Sequence, residues 1–411
     1  MMTEQSAPQI HLWAFLQGIG HYPSGWRHPQ ATPADVFTMD YYRRVGQLAE
    51  RGRFDAIVFG DQLHSRGAGG RTSERLAMPT LDPVTLLVAM AAVTEHVGLV
   101  ATISTTYNSP QMLAERLATM DRITGGRAGW NIVTSAYATT AGNFGEEQMP
   151  EKSARYANAV STVAEATRLW QQAEVPIPQG RPVFIQAGQS GEGRDFAART
   201  AEAIFCPAAT IEDGIAFRTD LRERIAAVGR NPDAVRIMPG LSFILAPTEQ
   251  EALAKDAALL DLADLDLCIE YLAESLTVDL SGQDPSAPIP LDYILDNTLA
   301  PREDIARVLT LPASKGISLG DFATAYVRTP RGHNVFRGTP EQMADMMIRW
   351  VDAGACDGFT LQPAWMPGEL ELFVDQVVPI LQEKGRLRRD YPGKTLRDTL
   401  GLGPLGADLA A

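Results

Sequence analysis

The chain has 411 residues, of which 45% are hydrophobic and 21% charged, so it can bury a large core and extensive disorder is excluded. Its longest unbroken apolar run, 86–93, is far shorter than the ~20 residues that a membrane-spanning helix needs. The formal net charge is −14 and no basic stripe occurs, which argues against a nucleic-acid-binding protein.

The negative charge is concentrated at 249–300, where twelve carboxylates accompany one base, Lys255. No EF-hand spacing is present there, so we interpret the stretch as a solvated helical excursion and not as an ion site. The three cysteines (Cys206, Cys268 and Cys356) are far apart and form no C-x-x-C pair, which predicts neither a disulfide framework nor a metal site. The low cysteine content suits a reducing compartment, and the polar N-terminus lacks the pattern of a signal peptide. We therefore expect a cytoplasmic protein.

Strand-like and helix-like segments alternate along the chain. The expected strands lie at 10–15, 56–59, 97–103, 128–133, 183–187, 203–205, 237–245 and 359–361. The expected helices lie at 39–51, 82–94, 110–123, 151–170, from 191, 211–228, from 248, 339–353 and near 370–384. The segment 280–330 is less regular, and its prolines mark loops.

Eight continuous apolar strands separated by helices are typical of parallel strands that are covered on both sides. They predict an α/β fold, a (β/α)8 TIM barrel formed by one domain over 1–400, with insertions near 62–80, 134–150 and 250–330. We expect 401–411 to be a mobile tail. A doubly wound open sheet is the alternative, but the turn after the first strand lacks the third glycine of a dinucleotide-binding loop.

The active site of a barrel lies where the strands end and the next loops begin. The residues there are Asp61 after the second strand, hydroxyls from Thr102 to Thr106 on the third, and an amide and hydroxyls between Asn131 and Ser135 on the fourth. Each taken alone is better explained as a turn or helix cap. Together, such uncharged groups with one carboxylate suit a neutral, hydrogen-bonding heterocycle better than hydrolysis.

The fifth strand runs into Gly188-Gln189-Ser190-Gly191, which opens a helix. Backbone N–H groups at a glycine-rich helix start attract phosphate, although a tight strand-to-helix turn needs the same glycines. The five lysines do not end predicted strands, which disfavours a Schiff-base aldolase, and no H-E-x-x-H, P-loop or G-x-S-x-G motif occurs.

Taken together, these stretches resemble the bacterial luciferase-like flavin monooxygenases, in particular the group of nitrilotriacetate, long-chain alkane and dibenzothiophene sulfone monooxygenases. The similarity spans nearly the whole chain in the expected order. The matching stretches are 26–29 (WRHP), 54–56 (FDA), 104–107 (STTY), 121–127 (DRITGGR), 130–135 (WNIVTS), 143–145 (NFG), 155–156 (RY), 181–188 (RPVFIQAG) and 338–342 (GTPEQ).

The resemblance implies a barrel that binds reduced FMN supplied by a separate NAD(P)H:flavin reductase. In such enzymes O2 adds at flavin C4a, and the resulting (hydro)peroxide inserts one oxygen atom into a small organic substrate. A homodimer or a dimer of dimers is expected from the resemblance alone. The cofactor-binding positions that it implies, with their near neighbours, are Asp61, Thr102, Ser104, Asn131, Ser135, Lys152, Tyr156, Gly188, Ser190 and Gly191.

The sequence departs from the family pattern in two places near these positions. Lys152 stands where the family commonly has a histidine, and it could pair with the FMN phosphate or face water. The long excursion that usually precedes the fifth strand is reduced to 171–180. The substrate preferences of the named relatives therefore do not carry over.

His21 and His333 are the candidate catalytic residues, because a neutral imidazole titrates near the working pH and both lie in predicted loops. The alternative, which the pattern slightly favours, is that each is a loop histidine that makes an ordinary surface hydrogen bond. The insertions 62–80 and 250–330 are candidate lids. Trp13, Trp26, Trp365 and Met366 could form the wall of a substrate pocket or simply pack in the barrel.

Three alternatives stay open. An F420-dependent oxidoreductase on the same barrel would differ in the cofactor, and a non-catalytic flavin-binding protein would keep the binding residues without turnover. A sugar-phosphate enzyme would leave the similarity at 130–135 unexplained. The substrate, and whether carbon, nitrogen or sulfur is oxygenated, does not follow from fold and cofactor.

Overall fold

The computed structural model describes residues 8–61, 63, 81–135, 137–328 and 333–405. These residues contain nine strands in one parallel sheet. The strands are β1 His11–Leu16, β2 Ala56–Phe59, β3 Gly98–Ser104, β4 Ala128–Val133, β5 Val183–Gln186, β6 Ala203–Cys206, β7 Arg236–Leu245, β8 Asn334–Gly338 and β9 Gly358–Pro363.

The sheet closes into an eight-stranded parallel barrel. Strands β1 to β7 pair in sequence, and β9 pairs with both β7 and β1. Strand β8 is additional: it extends alongside the carboxyl half of β7, while β6 pairs with the amino half. The predicted TIM barrel is therefore confirmed, and the open doubly wound sheet is wrong.

Helices follow most strands and cover the barrel. They are α1 Met39–Arg51, α2 Pro83–Ala91, α3 Pro110–Ile123, α4 Lys152–Gln171, α5 Gly191–Thr200, α6 Ile211–Ala227, α7 Glu249–Asp261, α8 Leu265–Leu276, α9 Leu291–Asn297, α10 Arg302–Ser314, α11 Leu319–Arg328, α12 Pro340–Asp352, α13 Gly368–Leu372, α14 Val378–Glu383 and α15 Leu396–Thr399. Among the described residues, no helix is long and apolar enough to span a membrane.

Two regions differ from the prediction. Strand β8 was not predicted, because it is short and only partly buried, so it lacks a continuous apolar run. The segment 280–330 contains three helices that the pattern did not predict, α9, α10 and α11, while Pro285, Pro288 and Pro290 lie in the loop before α9, as predicted.

The interior of the barrel is apolar in its lower half and is closed from below by α15. Trp13, Val58 and Val100 pack there with Leu396 and Leu400 of that short helix. A Cβ atom added to Gly98 would lie 2.4 Å from the Leu396 side chain. This glycine on the floor of the barrel is therefore required for the helix to fit.

A buried carboxylate attaches α15 to the barrel. Glu202 accepts hydrogen bonds from Arg181 at 2.7 Å, from Arg397 of α15 at 2.6 Å and from the backbone N–H of Phe184 at 3.1 Å. All three charged side chains are buried. Burial alone would raise the pKa of Glu202, but the two guanidinium groups hold it below its ordinary value.

The acidic stretch forms the predicted helical excursion, and it has its own core. Helices α7 to α11 enclose an apolar cluster that includes Leu267, Leu272 and Leu319, and this cluster packs against Tyr22 and Trp365. The excursion thus has a core of its own, and this core packs against the loops after β1 and β9.

The structure describes the predicted insertions and tail only in part. Apart from Leu63, the segment 62–80 lies outside the described residues, as does 406–411. The segment 134–150 contains a short 3-10 helix, Ala138–Phe144, and Asn143 donates a hydrogen bond of 2.8 Å to the carbonyl of Leu63. At the start of the tail, Arg236 donates to the carbonyls of Leu400 and Gly401.

We expect Glu202→Gln to lower the free energy of unfolding by about 3 kcal/mol, because it leaves two buried guanidinium groups without a carboxylate. Since the folded pKa of Glu202 is lowered, its contribution is present above the unfolded pKa of about 4.3 and is lost as the pH falls through the folded value. Urea unfolding at several pH values measures both effects. The difference between the two proteins should shrink as the solution is acidified.

The matched control is Asp233→Asn, which breaks the exposed pair that Asp233 forms with Arg222 at 2.7 Å. It should leave the urea midpoint almost unchanged. Equal effects of the two substitutions would contradict the role that we assign to Glu202.

Candidate active site

A cavity of about 270 Å³ opens at the carboxyl ends of β2 to β5. Six of the ten predicted cofactor-binding residues contribute to its lining: Asp61, Thr102, Ser104, Ser135, Tyr156 and Gly188. The sequence analysis included Val133, Thr134, Gln186 and Ala187 only as parts of strand-end stretches, and it missed Leu63, Tyr137 and Thr140. Asp61 is the one charged residue among these thirteen, so the cavity is largely neutral.

Asn131 lies just inside the barrel, beside the cavity. Its amide nitrogen donates a hydrogen bond of 3.0 Å to the Thr102 hydroxyl, and the side chain of Thr102 lines the cavity. The carbonyl oxygen of Asn131 is buried and has no hydrogen-bond partner among the described residues. An unsatisfied buried acceptor is costly, so this oxygen suits a ligand that brings an N–H or O–H donor.

Ser104 and Ser135 join the ends of β3 and β4 at the cavity. Their hydroxyl oxygens are 2.8 Å apart, and Ser104 also accepts from the backbone N–H of Thr106 at 3.1 Å. Ser135 has φ of +56°, in the left-handed region that serine rarely adopts. Backbone strain of this kind is typical of functional sites, and here it lies in the cavity wall.

The turn from β5 to α5 forms another side of the cavity. The Ser190 hydroxyl accepts from the backbone N–H of Gly193 at 3.2 Å and so caps α5. A Cβ atom on Gly193 would lie 2.8 Å from the Tyr156 hydroxyl, and one on Gly188 would lie 2.7 Å from the Cα of Gly193. The two glycines therefore allow the turn, the helix start and Tyr156 to approach one another.

The predicted positions Ser190, Gly191 and Lys152 lie next to the cavity and do not line it. Lys152 begins α4, and its ammonium group lies 3.6 Å from the carboxylate of Glu192 in the first turn of α5. Arg155 follows one turn later; burial lowers its pKa, and its Nε atom is buried without a hydrogen-bond partner among the described residues. The cations Lys152 and Arg155 therefore lie close to the carboxylates Glu151 and Glu192 at the starts of α4 and α5.

The structure places His21 and His333 outside the cavity lining. The Nε2 atom of His21 lies 2.9 Å from the Phe15 carbonyl oxygen, and the His21 and Phe15 rings are 4.9 Å apart. The ring of His333 stacks on Phe205 at 5.1 Å, and Phe205 lies 5.8 Å from Phe15. The two histidines thus end a row of aromatic rings across the barrel mouth, and their catalytic role stays a prediction.

The four candidate wall residues are core residues or pack against the core. Trp13 is buried inside the barrel and Met366 belongs to the main core. Trp365 stacks on His28 at 4.1 Å and packs in the excursion cluster, while Trp26 packs against the main core. None of them belongs to the lining of the cavity among the residues that the structure describes. No cluster able to hold a metal ion occurs in the described part of the chain.

Comparison with known proteins connects this site to one enzyme family. The family described as luciferase-like monooxygenase matches residues 21–356. The chain is 38% identical to N-acetyl-S-(2-succino)cysteine monooxygenase of Bacillus subtilis (strain 168), over 96% of this chain and 97% of that protein. It is 35% identical to nitrilotriacetate monooxygenase component A of Aminobacter aminovorans, over 96% of each chain.

A solved structure has the same architecture over the full length. Riboflavin lyase, crystallised with a modified FMN and its substrate riboflavin, superposes with a TM-score of 0.86 at 28% identity, covering 97% of this chain and 98% of that one. The family match spans the strands and loops that build the cavity, and the relatives cover nearly the whole chain. The chain therefore belongs to the luciferase-like monooxygenase family.

Proposed function

We propose that the protein is a flavin-dependent monooxygenase that uses reduced FMN and O2 to insert one oxygen atom into a small organic substrate. The observation that carries the proposal is the cavity at the barrel mouth. It combines neutral hydrogen-bonding groups, an unsatisfied acceptor on Asn131 and a glycine-built helix start on one side. A heterocycle with a phosphate tail needs this combination.

The relatives support the same function and a second component. Those named above are a monooxygenase and the component A of another, and a separate component that supplies the reduced flavin accords with that name. The riboflavin lyase structure holds a modified FMN. We accordingly propose an NAD(P)H:flavin reductase as the partner, and a homodimer or a dimer of dimers as the assembly, in the cytoplasm.

The residues present fit FMN. Ser190, Tyr156 and the first N–H groups of α5 would hold the phosphate, with Lys152 as a nearby cation. Thr102, Asn131, Ser104 and Ser135 would meet the ring or the ribityl chain, and Asp61 would accept from its hydroxyls. Reduced FMN, when bound, supplies the electrons that activate O2.

The chain itself has to orient the flavin and to keep water from the reacting atoms. Asn143 donates to the carbonyl of Leu63, so the segment 134–150 is joined to a residue that lines the cavity. Tyr107 stacks on Phe144 at 4.2 Å and holds the same segment against the end of β3. His21 and His333, which lie at the two ends of the row of aromatic rings, remain our candidates for the residues that move a proton.

We expect anaerobic titration to show binding of reduced FMN and no binding of F420. On mixing with oxygenated buffer, the bound flavin should reoxidise more slowly than free reduced FMN, because the cavity shields it from water. Stopped-flow absorbance measures both steps. Reoxidation as fast as that of the free flavin would favour a flavin carrier without turnover, and binding of F420 alone would overturn the proposal.

We expect Asn131→Ala to weaken the binding of reduced FMN by about tenfold, because the lost acceptor is worth about 1.4 kcal/mol when its partner stays buried. The measurement is the same titration, with circular dichroism to confirm the fold. Asn297→Ala is the matched control on the exposed helix α9 and should change nothing. Unchanged binding by Asn131→Ala would place the flavin ring elsewhere.

A further inference from the structure

Lys152 and Glu192 form an ion pair at the start of α5, directly beside the cavity. The Lys152 ammonium nitrogen lies 3.6 Å from the Glu192 carboxylate, and both side chains are about half exposed. Lys152 is the first residue of α4, so Arg155 and Tyr156 follow on the same face one turn later. Two cations, Lys152 and Arg155, and two carboxylates, Glu192 and Glu151, therefore lie where the two helices begin.

The neighbouring groups point to an anionic ligand. The buried Nε atom of Arg155 is a donor without a hydrogen-bond partner among the described residues. The Arg155 guanidinium interacts electrostatically with Glu192, Glu151 and the two tyrosines Tyr107 and Tyr156. An anion at this place would satisfy the donor that the protein leaves open.

Glu192 already interacts with Lys152 and lies in the first turn of α5, so it uses part of the positive potential that would attract such a ligand. A carboxylate in the first turn of a helix is stabilised by the same dipole and the same free N–H groups that bind a phosphate. Lys152 cannot pair fully with both anions at once. Glu192 and a ligand phosphate are therefore competitors at the start of α5.

We propose that Glu192 is an internal counter-anion that limits the affinity for the flavin phosphate, and that Lys152 exchanges Glu192 for the phosphate when the flavin binds. This inference rests on the proposed function. A flavin that a separate reductase supplies has to enter reduced and leave oxidised in every turnover. A limited phosphate affinity favours this exchange over permanent retention of the flavin.

The test compares reduced FMN with reduced riboflavin, which has the same ring and no phosphate, by anaerobic titration of the full-length protein. We expect Glu192→Gln to bind reduced FMN about fivefold more tightly, because a like charge near the phosphate is removed at a partly solvated surface. Lys152→Gln should weaken FMN binding by a similar factor. In the Glu192→Gln background, Lys152→Gln should weaken FMN binding by more than it does in the wild-type protein, because Lys152 then has no other anion to leave.

The affinity for riboflavin should stay constant in all three variants, and the effects on FMN should shrink at high salt. The matched control is the pair of Lys384, just after α14, and Asp345 on α12, which are 2.7 Å apart and similarly exposed. Lys384→Gln and Asp345→Asn should change neither affinity.

An unchanged or lowered FMN-to-riboflavin affinity ratio in Glu192→Gln would overturn the inference, with the proposed function intact. Equal changes for both flavins would also overturn it, because they would reflect the ring site and not the phosphate. Failure of the wild-type protein to bind either flavin would instead overturn the proposed function. Thermal unfolding of each variant shows whether α5 keeps its packing.

Discussion

Closure of the barrel is the constraint on which the rest of the structure depends. When eight strands close, every second side chain has to share a narrow interior, which small and medium-sized side chains can fill completely. Here apolar side chains and Leu396 of α15 fill the lower half, and Thr102 and Asn131 lie above them. Because the floor is filled, the remaining space is confined to the carboxyl ends of the strands, where the cavity lies.

The strands of the barrel could be predicted because each is buried on both faces and is therefore a continuous apolar run in the sequence. Since the site lies at the ends of these strands, Asp61, Ser104 and Gly188 could be predicted as well. Strand β8 carries no such run, and its pairing with β7 depends on a partner about ninety residues away. The bonds from Glu202 to Arg397 likewise join residues 195 positions apart. Contacts of this range leave no local pattern in the sequence.

The candidate site could likewise be predicted where it depends on the ends of strands, and not where it depends on contacts between distant segments. Predicted residues at the strand ends, such as Ser104, line the cavity. Of the two predicted residues on α4, Tyr156 lines the cavity and Lys152 lies beside it. Leu63, Tyr137 and Thr140 were missed because they belong to insertions whose path across the barrel no periodicity reveals. The charge of the site also emerges only in three dimensions, since Glu192 and Lys152 meet through the packing of α4 and α5.

The position of α15 has a consequence for how the chain is made. The floor of the barrel comes from Leu396 and the strand that closes the ring is β9, at residues 358–363, so both leave the ribosome after the other seven strands of the barrel. Translation proceeds at ≈ 5–20 residues per second. For several seconds the nascent chain therefore contains a sheet of the strands β1 to β7 whose two outer edges are unpaired, before the ring can close. Those edges are sites at which other chains can pair until β9 joins β1 and β7.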